Sequence, residues 1–296
     1  MTRLNAGVFK ADALLLITAV IWGTSFVAQR AAMDNIGPML FNGLRFALGA
    51  LVILPLAFRS ERITSRHRLT TPKALAGGLA AGVILFLGAS FQQVGLLYTT
   101  AGKAGFITGL YVVIVPILAL FLGQRTGLGK WVGALFAVVG MYFLSVTESF
   151  TVGLGDLLQL GGALFWAFHV LLVGNLALKT HPIRLACIQF VACAALSLLV
   201  AIPTESITVS GISAAGFPII YGGLLSVGVG YTLQVIAQRD AIPTHAAILL
   251  SLEAVFAALA GWALLDEHLD ARGILGCALM LIGMLVAQLA PFWRRR

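Results

Sequence analysis

Ten apolar segments, each near the length that crosses a bilayer, leave this chain few ways to fold. They run Ala13–Ala32, Met39–Phe58, Leu75–Leu97, Ala104–Leu122, Leu128–Val146, Leu157–Leu178, Leu185–Ile202, Phe217–Ala237, Ala246–Leu265 and Ala271–Ala290. A hydrocarbon core of about 30 Å takes roughly 20 apolar residues per helix. Within it every backbone polar group must be satisfied inside the segment or in a closed barrel. Barrel strands would alternate apolar and polar residues over segments of about ten, whereas these runs are continuous. With 60% of 296 residues apolar and 10% charged, there are too few charges to cover a water-soluble domain. The chain is therefore expected to be an all-α polytopic membrane protein with almost no extramembrane domain.

The ten segments are not independent. Asp12, Trp22 and Pro38 recur at an offset of 144 as Asp156, Trp166 and Pro182. Gln92 returns as Gln234 after 142, and Gly133 and Gly140 return as Gly276 and Gly283 after 143. Trp occurs five times and Pro nine, so coincidence is a poor explanation. A duplication divides the chain into 1–146 and 147–296, five spans each. Five is odd, so the second half must enter the membrane from the opposite side. The expected architecture is ten transmembrane helices as two inverted five-helix repeats, with a site between the halves that is exposed alternately.

Charge sets the orientation. With the N-terminus inside, cytoplasmic segments hold Arg3, Lys10, Arg59, Arg62, Arg66, Arg68, Lys73, Arg125, Lys130, Lys179, Arg184, Arg239, Arg294, Arg295 and Arg296, and the outside keeps only Arg30, Lys103 and Arg272. That bias is the positive-inside signal. It places both termini and the loop Ser60–Pro72 in the cytoplasm. The acids Asp34, Glu148, Asp156, Glu205, Asp266, Glu267 and Asp270 fall mostly outside. The net charge of +8 is thus a topology signal, and no nucleic-acid partner is expected. Arg3 and Lys10 precede an apolar run longer than a signal-peptide core and without a small-residue cleavage site, which reads as a retained first span.

Polar residues inside spans mark the candidate site. Arg45 and Glu253 are costly there, roughly 2.5–3.5 kcal/mol for Arg or Asp near a helix centre. Arg45 either lines a cavity or is structural, binding carbonyls or reaching toward the outer leaflet. Glu253 carries a proton, pairs with a substrate amine, or pairs with a buried donor. Trp22 and Trp166 lie about ten residues into their spans, away from the interface where membrane Trp is usual. Trp22, Ser25 and Gln29 share one helical face, as do Trp166 and His169. Two facing indoles would wall an apolar, aromatic or cationic ligand; His169 is otherwise a packing residue. Gln92 and Gln234 occupy matched positions and serve the cavity or helix–helix hydrogen bonds. Tyr111 corresponds to Glu253 at offset 142.

Other features have plainer readings. Glycines spaced by four (Gly78 with Gly82, Gly105 with Gly109, Gly129 with Gly133) let helices approach closely. Pro55 and Pro116 can kink their helices. Cys187, Cys193 and Cys277 lie inside spans at spacings that fit neither a zinc site nor a redox pair. There is no phosphate loop, zinc-protease motif or serine elbow, so no catalytic residues, metal or cofactor are expected.

These residues resemble the EamA family of the drug/metabolite transporter superfamily over essentially the whole chain. The likeness rests on AVIWGTSFVAQR in the first span, Arg45 in RFALGALVILP, LYVVIVPILALFLG in the fourth span, and LEAVFAALAGWALLDE followed by GCALMLIGMLVA. It implies a ten-helix inverted-repeat carrier with cytoplasmic termini that moves small metabolites and often exports amino acids; within the family the chain looks most like the bacterial aromatic amino-acid exporters. Two departures stand out: Glu253-Ala254 where the family often has Glu-Pro, and Arg125 where an acid usually closes the fourth span, although Glu267 keeps its counterpart. The expectation is a monomeric bacterial inner-membrane carrier exporting amino acids, aromatic ones among them, or related small metabolites. The candidate substrate-binding residues are Trp22, Ser25, Arg45, Gln92, Tyr111, Trp166, His169, Gln234 and Glu253. A drug or nucleobase-type exporter on the same fold is the alternative. A membrane-embedded enzyme of lipid metabolism lacks a catalytic constellation, and a non-transporting subunit would not explain the paired polar residues.

Overall fold

A computed structural model describes residues 3–60, 71–123, 127–145, 153–265 and 271–293. The charges expected at Arg62, Arg66, Arg68, Arg125, Glu148, Asp266, Glu267, Asp270, Arg294, Arg295 and Arg296 lie outside the described residues. Every apolar segment is helical, and there is no strand among the described residues. The order is α1 (Arg3–Ala32), α2 (Pro38–Ser60), α3 (Thr71–Gly95), α4 (Ala101–Gly109), α5 (Tyr111–Phe121), α6 (Leu128–Ser145), α7 (Leu154–Ala177), α8 (Pro182–Thr204), α9 (Val209–Ala214) and α10 (Gly216–Ile220). A π-helical segment, Tyr221–Tyr231, follows, then α11 (Thr232–Ala237), α12 (Pro243–Leu250), α13 (Glu253–Leu265) and α14 (Ala271–Trp293).

Eight helical stretches among the described residues are long and apolar enough to cross a membrane, α4 with α5, α10 through α11, and α12 with α13 each counting as one. The apolar parts of α6 and α14, Leu128–Phe143 and Ala271–Val286, are shorter. The helices start where the sequence allows. Pro38, Pro182 and Pro243 take first-turn positions, where their missing N–H is no loss. The Thr100 hydroxyl accepts from Lys103 N at 3.2 Å to cap α4, and the Glu205 carboxylate accepts from Met39 N and Leu40 N at 2.8 and 2.7 Å to cap α2.

The polarity is that of a lipid-facing bundle. Phe121 and Leu199 are 85% and 67% exposed, while Gln92, Gln159, Gln189 and Gln234 are buried. Lipid can cover the apolar rim, and the amides find partners only inside.

Helices pack mainly across the two halves. α6 lies along α14, α2 along α8, α3 along α7 and α8, and α1 along α13 and the π-helical segment. The α6–α14 contact is made by glycine. A Cβ built on Gly140 would sit 2.5 Å from the Gly276 carbonyl oxygen, and one on Gly283 would sit 2.6 Å from that of Gly133. Gly283→Leu is expected to wedge the pair apart, at about 1–3 kcal/mol or more for overpacking. The readout is a lower midpoint for thermal unfolding of the detergent-solubilised protein. An unchanged midpoint would refute the close approach.

Two further contacts fix direction. Asp12 Oδ1 pairs with His245 Nε2 at 2.8 Å, and Asp156 Oδ2 pairs with Lys103 Nζ at 2.7 Å. Near the far end of α1, Gln29 Oε1 accepts from Gln92 Nε2 at 3.4 Å, and the Gln92 carbonyl accepts from Gln159 Nε2 in the early turns of α7 at 2.8 Å. Hence α7 begins at the end of the bundle where α1 finishes, and the two ion pairs lie at opposite ends. A helix rises about 1.5 Å per residue, so more than four turns of α1 separate them.

Two of the spans are interrupted. α4 gives way to α5 at Leu110, and α12 to α13 at Ser251 and Leu252. At both breaks i→i−3 backbone bonds replace the regular ladder, from Leu110 N to Ile107 O and from Leu252 N to Leu249 O. The break in the fourth span therefore falls upstream of Pro116, the residue expected to kink it.

Candidate functional site

Between the halves lies a cavity, and seven of the nine candidate residues line it: Trp22, Arg45, Gln92, Tyr111, Trp166, Gln234 and Glu253. They come from α1, α2, α3, α5, α7, α11 and α13. Tyr111 and Glu253 are the first residues of the helices that restart after the two breaks. The interruptions bring both side chains into the interior wall.

Two candidates lie behind that wall. Ser25 is buried and its hydroxyl accepts from Gln29 Nε2 at 3.2 Å. His169 is fully buried, with Nε2 2.8 Å from Gln189 Oε1 and its ring edge-on to Trp166 at 6.0 Å. Neither lines the cavity.

Polar partners hold the indoles. Trp22 Nε1 donates to the Ser226 carbonyl at 3.1 Å, and Trp166 Nε1 donates to Gln92 Oε1 at 3.0 Å. A chain of side chains thus runs from Trp166 through Gln92 and Gln29 to Ser25. Gln234, the counterpart of Gln92, differs: its Oε1 is buried without a hydrogen-bond partner.

Trp22 and Trp166 both line the cavity, and the ring between them is Tyr231. Each packs on Tyr231, at centroid distances of 4.4 Å for Trp22 and 6.0 Å for Trp166, the latter stacked. Phe46 and Phe190 close around the same ring at 5.8 and 6.0 Å. Tyr231 is the residue that sequence reasoning missed. A signal existed, since it precedes the selected Gln234 by three positions and so shares its helical face.

Arg45 is 2% exposed. Its Nε donates to Asn42 Oδ1 at 3.0 Å, and its guanidinium carbon lies 5.2 and 5.0 Å from the Phe41 and Phe46 ring centres. The rings offer cation–π contact without cancelling the charge. Glu253 is 4% exposed. The Tyr111 hydroxyl lies within its electrostatic reach but makes no well-formed hydrogen bond. No three His, Cys, Asp or Glu residues among those described are grouped to hold a metal, and the three cysteines are free.

A multi-pass helical bundle with buried ionisable side chains around a cavity between its halves has the build of a membrane transporter. The family described as the EamA-like transporter family matches residues 9–146 and again 153–288, and the chain belongs to it. An Archaeoglobus fulgidus protein named "Uncharacterized transporter" is 33% identical over 283 residues, covering 94% of this chain and 86% of its own. The "Probable amino-acid metabolite efflux pump" of Escherichia coli K12 is 24% identical, covering 97% of each. A crystal structure superposes with a TM-score of 0.77 at 21% identity over 95% of this chain and 96% of that one, a likeness of fold. The protein is a drug/metabolite-superfamily membrane transporter and not an enzyme.

Proposed function

We propose that the protein is a bacterial inner-membrane secondary carrier that exports amino acids or related small metabolites by alternating access. It works as a monomer in the bilayer, its partner being the small-molecule substrate, with both termini cytoplasmic. Ten spans form two inverted five-helix repeats, 1–146 and 147–296. The observation that carries this reading is the cavity, walled from both halves by the repeat-matched Trp22 and Trp166. Inversion is supported by contacts that come in exchanged pairs. Asp12–His245 and Asp156–Lys103 are one pairing written twice, since 12 and 156 differ by 144 and 103 and 245 by 142. Gly140 on Gly276 and Gly283 on Gly133 repeat the exchange. The name of the Escherichia coli relative supports the substrate class.

The test is counterflow in proteoliposomes against the twenty amino acids. Accumulation of at least one labelled amino acid on exchange is the expected result. Exchange of nucleobases or drug-like amines with no amino acid would favour the alternative exporter, which the aromatic wall also suits. For topology, a cysteine placed at the C-terminus should be blocked only by reagents that enter the cell; labelling from outside in intact cells would overturn the orientation.

A further inference from the structure

Arg45 and Glu253 place a guanidinium and a carboxyl group in the wall of one cavity, and neither has an ion-pair partner among the described residues. Beyond the Nε bond to Asn42, the Arg45 guanidinium has no hydrogen bond or ion pair among the described residues. Glu253 has no ion pair among them either, and the two do not bond each other. Tyr231, within electrostatic reach of both, stands in the same wall. Buried charges without counter-ions are costly and persist where a partner is supplied. The fold holds the two groups apart. Phe41 and Phe46 flank the guanidinium on α2, and the break before α13 fixes Glu253. Two more groups are unsatisfied there: the buried Gln234 Oε1 and the Tyr111 hydroxyl.

We infer that the cavity is a clamp for a zwitterion, with the ligand's carboxylate on Arg45 and its primary ammonium on Glu253. A guanidinium offers a carboxylate two parallel N–H donors. An ammonium has three donors, and Glu253, Tyr111 and Gln234 present oxygens to take them. The ligand side chain lies against Trp22, Trp166 and Tyr231. This rests on the transport reading and narrows it to free amino acids, against nucleobases, cationic drugs and N-acylated conjugates.

Binding to the purified full-length carrier in detergent, read by intrinsic tryptophan fluorescence, tests the clamp. The probes are L-phenylalanine, phenethylamine, 3-phenylpropionate and N-acetyl-L-phenylalanine, with L-leucine, isoamylamine and 4-methylpentanoate as the aliphatic set. At least one amino acid should bind about tenfold or more tightly than every analogue lacking one charge, as loss of a charged hydrogen bond implies. Equal binding of an amine or an acid overturns the clamp, and so does failure of both amino acids to bind. Arg45→Gln should erase the preference over the amine and keep that over the acid; Glu253→Gln should do the reverse. The wild-type series stands even where a variant fails to fold. An amino acid that binds with the zwitterion pattern yet is not exchanged in counterflow would sink the transport reading and leave the clamp. Exchange of amines or acids as fast as amino acids would do the opposite.

Discussion

The carrier with both Trp22 and Trp166 replaced by Ala is expected to lose counterflow by about 100-fold or more. Each buried aromatic face gives a ligand about 1.5–3 kcal/mol by area, with roughly 0.5–1.5 more for ring against ring, so two lost walls reach that figure. The consequences go beyond area. Without Trp166, Gln92 Oε1 loses its donor at 3.0 Å; without Trp22, Tyr231 loses its neighbour at 4.4 Å. Cavity-forming substitutions of this size cost about 3–5 kcal/mol in stability. Light scattering should therefore confirm a monodisperse carrier, and the Trp22→Phe, Trp166→Phe pair serves as a gentler variant. That pair keeps a ring but not the N–H, and its expected loss is about tenfold. Wild-type exchange by the double Ala carrier would remove the cavity from consideration as the substrate site.

Glu253→Gln should be the most informative single change. The amide keeps the shape and a hydrogen-bonding group but neither ionises nor attracts an ammonium as a carboxylate does. Counterflow and pH-driven uptake of amino acids are both expected to fall by about tenfold to 100-fold, the range for a lost charged hydrogen bond. Raising the pH should not restore them. Retained counterflow with loss of pH-driven transport would make Glu253 a proton carrier. Wild-type transport across pH would make it structural.

The helical membrane fold was open to reading because lipid demands long apolar runs, and those survive in sequence whatever they pack against. The site was open in part because duplication marked it. Trp22 with Trp166, and Gln92 with Gln234, stood out by recurring. Tyr231 did not, since no aromatic residue answers it in the first half at either offset, 142 or 144. Its role follows from where the π-helical segment ends. The breaks at Leu110 and Ser251 were hidden as well, because the apolar runs continue through them and Gly109, beside the first, is one of 33 glycines in the chain. His169 was chosen for sharing a face with Trp166, but helical spacing fixes angle and not depth, and the structure turns its ring toward Gln189.

The two ion pairs occupy matched positions but are built from different parts. Lys103–Asp156 carries both charges without help, whereas His245–Asp12 is an ion pair only while its imidazole holds a proton. A duplicated chain starts with interchangeable ends. Here a lysine at one end and a histidine at the other make them chemically distinguishable, so the bundle has a polarity that its repeated sequence alone would not confer.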